Sequence, residues 1–153
     1  MRKNLFVCLC LAVSILAACQ PAGTPVAGGT YNISLPVNKD QASAAWLTLT
    51  VSSDGGFISS VRFYAQDVNC ELLRAETVDY FHVVQIPIRD GAFSFEESGV
   101  GKVEGRFDAD GGASGEAAIH FTYERSGALT NFTILDREAT CDLGTIQWSA
   151  EAP

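Results

Sequence analysis

Histidine is nearly absent from this chain: 153 residues carry two, His82 and His120, and a single methionine. A zinc site takes three or four ligands, which two separated histidines do not supply. Cys-x-x-Cys and Gly-x-Ser-x-Gly are missing, as is a cysteine with a partner histidine. The local signatures of redox pairs and of serine or thiol nucleophiles are therefore lacking. Positive charge is also scarce, with 10 Lys+Arg against 18 Asp+Glu. Two of those cations, Arg2 and Lys3, lie in the first eighteen residues; without that segment 8 stand against 18, a formal charge of −10. Such a surface repels phosphate backbones and anionic headgroups, which excludes nucleic acid as an expected partner. No cofactor is implied. Long apolar runs are limited to one.

That run follows a basic start. Met1-Arg2-Lys3-Asn4 precedes an apolar stretch from Leu5 to Ala18. A helix of that length spans about 21 Å, short of the ~20 apolar residues that a bilayer crossing needs. The layout is that of an export signal. Leu16-Ala17-Ala18-Cys19 resembles the lipobox of bacterial lipoproteins. The resemblance implies cleavage after Ala18, a lipid on the Cys19 thiol, and a chain held on a membrane at its extracytoplasmic side. Stable anchoring needs more than one acyl chain. In that family aspartate after the cysteine marks inner-membrane retention; Gln20 stands there instead, which points to the outer membrane where a cell has one. Residues 19–30 hold three glycines and two prolines and no charge or aromatic, the composition of a flexible linker. Residues 31–153 are then one domain of ordinary size.

Cysteine usage follows from this partition. Cys8 and Cys10 belong to the signal segment and Cys19 to the lipid. Cys70 and Cys141 remain, and two thiols outside the cytosol are expected to pair. Two free buried thiols and a redox pair are the alternatives.

Within the domain, apolar and polar residues alternate. Tyr31, Ile33, Leu35 and Val37 share one face; so do Leu47, Leu49 and Val51, then Val61, Phe63 and Ala65, Val103, Gly105 and Phe107, Ile119, Phe121 and Tyr123, and Ile146, Trp148 and Ala150. Period two describes strands with one buried face. Asp54-Gly55, Asp90-Gly91 and Asp110-Gly111 separate such runs and supply the positive φ of hairpin turns. The reading is an all-β fold of about eight strands with one disulfide, an antiparallel sandwich or a small barrel. Hairpins are expected at 45–65, 77–96 and 100–123, a short strand at Phe132–Ile134, and one helical turn around Cys70 to Ala75.

Val103-Glu104-Gly105-Arg106-Phe107, Ala113-Ser114-Gly115 and the run from Cys141 to Ala150 resemble a β-rich domain of exported bacterial proteins, with V-x-G-x-F, A-x-G and a closing C-x-x-G-x-x-x-W-x-A. The resemblance covers about residues 91–150 and implies a β fold, a disulfide with Cys70 as partner, and an extracytoplasmic home. It carries no activity.

Few residues could carry chemistry. Asp108 and Asp110 stand on a turn and could offer two or three of the six to eight oxygens that calcium takes; the rest of a calcium loop is missing, so a plain turn is the favoured reading. His82 falls on an apolar face and is expected to be satisfied by a neighbouring hydroxyl or carbonyl. His120 falls on a polar face. Glu96-Glu97 and Glu104/Glu116 could mimic a glycosidase pair, but wet strand faces explain them. Phe81 and Val83 make the strand near Tyr80 to Ile88 apolar on both sides, and cover by the connection 66–76 is expected. The function anticipated is a membrane-tethered, non-catalytic binding or interaction module for a protein or glycan. A small envelope hydrolase and a structural subunit of an envelope assembly are the alternatives.

Overall fold

The computed structural model describes residues 22–71, 74–98, 100–125 and 137–153. Residues 1–21, with the signal segment and Cys19, lie outside the described residues, as does the strand expected at 132–134. The described residues form eight strands and no helix: β1 (Thr30–Leu35), β2 (Ala44–Val51), β3 (Phe57–Asn69), β4 (Arg74–Pro87), β5 (Ala92–Glu97), β6 (Gly101–Phe107), β7 (Ala113–Arg125) and β8 (Arg137–Ala150). They make two antiparallel four-stranded sheets, ordered β1-β2-β3-β4 and β5-β6-β7-β8. The sheets face each other as a sandwich, with β1 beside β8 and β4 beside β5.

The alternating apolar residues fill the space between the sheets. Leu47, Leu49, Ile58 and Val61 of one layer and Ala117, Ile119, Phe121 and Ile146 of the other are buried in one cluster. Tyr31, Phe107, Phe93 and Trp148 chain together at one end, with ring centroids 5.4, 5.6 and 6.3 Å apart. The other end is closed by the disulfide Cys70–Cys141, which joins the β3–β4 connection to β8 across 71 residues of sequence.

The hairpins at 45–65 and 100–123 are β2–β3 and β6–β7. The one expected at 77–96 is not a hairpin. Asp90 and Gly91 do take positive φ, and Arg89 and Ala92 exchange two backbone hydrogen bonds of 2.9 Å across them. Beyond that one bridge the arms part, β4 remaining with β3 and β5 joining β6. Pro87 has no N–H to continue a ladder, and the Ile88 amide bonds Gly56 O instead, at 3.0 Å. The Asp-Gly turn is thus the corner where the chain changes sheets.

Two further expectations are corrected nearby. Among the described residues no helical turn forms around Cys70 to Ala75: β4 begins at Arg74, and Glu71 N donates to Thr140 O at 3.1 Å. With β3 running to Asn69, the connection is only residues 70–73 and is tied down by the disulfide. It is too short to cover Phe81 and Val83, which stay 61% and 71% exposed.

The segment 22–29, read as flexible linker, lies on the sandwich. Gly23 N donates to Phe107 O (3.1 Å), Gly28 N to Ser52 O (2.9 Å) and Val26 N to the Tyr31 hydroxyl (3.1 Å), which itself donates to Gly111 O (2.8 Å). A Cβ at Gly23 would stand 2.0 Å from Asp108 O, so the close approach requires glycine there. Composition measured what the segment can bury by itself; the domain supplies the acceptors it lacks.

Candidate functional site

A row of four residues runs straight across the second sheet: Phe93 faces Gly105, Gly105 faces Gly115, and Gly115 faces Trp148. On the core side the two aromatic rings close over the two glycines. A Cβ at Gly105 would come within 2.7 Å of both rings, and one at Gly115 within 2.6 Å of the indole. The V-x-G-x-F, A-x-G and tryptophan positions therefore describe one packing unit.

On the outer side of this row the sheet forms a hollow of about 730 Å³, floored by the Gly105 and Gly115 backbone. Two rows of polar side chains bound it, one on each side of the glycines. The first holds Ser94, Glu104, Glu116 and Gln147, aligned across β5 to β8; the second holds Arg106 and Ser114, with Arg89 next to Ala92 at the corner. Two residues along a strand separate the rows by about 7 Å.

The carboxylates are engaged unequally. Lys102 Nζ lies 2.7 Å from Glu104 Oε1, and Ser94 Oγ donates to the same oxygen at 3.1 Å. These bonds hold the Glu104 carboxyl below the usual carboxylate range and lift Lys102 above the usual lysine range. Glu116 receives only the neutral Gln147 amide, at 2.5 Å. Arg89 and Arg106 have no carboxylate partner among the described residues. The site can attract charge of both signs. Glu104, held ionised, is not a proton donor.

The opposite outer face, on β2 to β4, is built differently. Trp46 and Tyr64 face each other across β2 and β3 with ring centroids 5.5 Å apart. Arg62 grips Asp79 with two hydrogen bonds of 2.8 and 2.6 Å, which hold Asp79 low and Arg62 high. Phe81 and Val83 continue this face to the sheet edge.

A third cluster sits where β4 meets β5. Tyr80 donates its hydroxyl proton to Glu97, and His82 Nδ1 lies 2.7 Å from the same hydroxyl and 3.1 Å from Glu97 Oε2. With the phenol proton given to Glu97, Nδ1 is the donor toward the phenol oxygen. Burial first, then the Glu97 bond, pushes the Tyr80 phenol up to about 12.

No protein-family model, curated protein or solved structure matches this chain.

The hollow brings Glu104 and Glu116 together, directly opposite on neighbouring strands, whereas Glu96 and Glu97 fall on opposite faces of β5 and do not join them. His82 contacts the Tyr80 hydroxyl, and His120 is exposed on β7. Asp108 and Asp110 occupy the β6–β7 turn. There Asp108 O accepts from Gly111 N at 3.0 Å, and Asp110 Oδ1 accepts from Gly112 N at 3.3 Å. No group of three or more His, Cys, Asp or Glu among the described residues could hold a metal ion. The sequence reading passed over Arg89 and Arg106. Their signal was rarity, two of few cations on an acidic chain, but only strand register places them beside one hollow.

Proposed function

We propose that the protein is a lipid-anchored, extracytoplasmic binding module whose ligand site is the hollow on the outer face of the β5–β8 sheet. The observation that carries this reading is the hollow itself. It is a broad, open depression on the sheet surface, with Arg89 and Arg106 on one side of its floor and Glu104 and Glu116 on the other, charges placed to hold a ligand. A hydrolase of the two-carboxylate kind needs one acid that keeps its proton near neutral pH; Glu104 is shifted the other way and is not that acid. The lipobox-like Leu16 to Cys19 supports the anchor. With residues 22–29 docked, little free chain separates Cys19 from the sandwich, so the module would be held close to the membrane surface.

A second reading, a structural subunit of an envelope assembly, is favoured by one observation: Phe81 and Val83 lie side by side, two residues apart, on an edge strand with their side chains in solvent. Photo-reactive residues placed in the full chain on intact cells separate the readings. Adducts from Ser114, in the hollow, and none from Thr48 or Phe81 are expected. Adducts from Phe81 alone would replace the binding module with the assembly subunit. Adducts from none of the three would reject both.

A further inference from the structure

We propose that the hollow binds a short dipolar peptide, the carboxylate held by Arg89 and Arg106 and the ammonium by Glu116. The inference rests on the hollow being the ligand site and adds the chemistry of what it takes.

Charge carries the argument. The chain is acidic throughout, yet two of the cations that lack a carboxylate partner among the described residues line this one depression. Each is a planar fork suited to bidentate recognition of a carboxylate. They flank Ala92, whose small side chain leaves the space between them open. Across the glycine floor stands Glu116, which accepts from the neutral Gln147 amide and forms no direct ion pair among the described residues, Lys102 acting on it only at a distance. Glu104, already neutralised by Lys102, adds little.

The spacing then selects length. The anionic and cationic rows are about 7 Å apart, and an extended peptide spans at most ~3.3–3.6 Å per residue. A dipeptide thus sets its two ends over the two rows. Ser94, Ser114 and Gln147 lie beside the path between them and can bond its amide. A polyanion would be repelled by the rest of the molecule, and an uncharged ligand would leave two guanidiniums unused.

The probes are alanyl-alanine, its N-acetyl form and its C-terminal amide, titrated against the ¹⁵N-labelled full chain. Backbone amide shifts of Ala92, Gly105 and Gly115 are the readout. The free dipeptide is expected to shift all three amides. Each blocked form should bind roughly tenfold more weakly, a factor worth about 1.4 kcal/mol. In the double variant Arg89→Gln/Arg106→Gln the acid and the amide should bind alike; in Glu116→Gln the free and the acetylated forms should. Equal binding of all three peptides to the unaltered chain, at these amides, would overturn the dipolar assignment and keep the hollow as a site. No shift of these amides with any of them would overturn the peptide assignment; if Ser114 adducts on cells are also absent, the hollow itself falls.

Discussion

Tyr80 shows how one side chain can tie two sheets together. Its ring belongs to β4, its hydroxyl bonds Glu97 of β5, and His82 braces the pair. Because folding raises the phenol from 10.0 to about 12, the folded chain favours the protonated form. That contribution is fully present below pH 10 and is lost as pH rises from 10 towards about 12. Denaturant midpoints across this window should fall with pH in the unaltered protein, and by less in Tyr80→Phe. An identical slope in the two would show that Tyr80 does not couple the sheets. At this scale the sequence was partly readable. It placed His82 on the apolar face and gave it a hydroxyl or carbonyl partner, but not which one, because the partner lies two residues along the same strand and its acid comes from the next sheet.

The elements were legible wherever two signals agreed. β2, β3, β6 and β7 combine strict alternation with an Asp-Gly turn, and their pairing followed from both. Where the signals came apart, the reading failed. Asp90-Gly91 has hairpin chemistry, but Pro87 stops the ladder and the two arms bury their apolar faces from opposite sheets. Residues 22–29 have linker composition, but backbone groups of the domain hold them. The row Phe93–Gly105–Gly115–Trp148 was visible as a motif and became intelligible only through register. Strand stability there depends on absent side chains: Gly115→Ala would put a methyl 2.6 Å from the indole and 2.0 Å from Glu104 O. Overpacking of this kind costs about 1–3 kcal/mol, here at the upper end because backbone must move. Chemical denaturation of Gly115→Ala should show that loss, and Ser114→Ala, which faces solvent, should show almost none.

The described residues form a sandwich stitched at both ends. At one end Tyr31 joins the docked N-terminal segment to the β6–β7 turn; at the other the disulfide fixes the β3–β4 connection to β8. By the chain-entropy argument a bond closing some 70 residues is worth about 4 kcal/mol, a large share of the stability of a domain this size. Such a bond is rare in the reducing cytosol, which agrees with the proposed export and with the expectation that Cys19 is consumed by lipid and Cys70 and Cys141 by each other. The proposed anchor would also give the hollow its setting, a binding surface close to a membrane. The most direct test is the intact mass of the protein recovered from the membrane fraction, with its N-terminal fragment sequenced. The account predicts a chain beginning at Cys19 and heavier than its residues by a diacylglyceryl group on the thiol, with Cys19→Ser unlipidated. A chain that retains residues 1–18, or one that begins at Cys19 with an unmodified thiol, would contradict it.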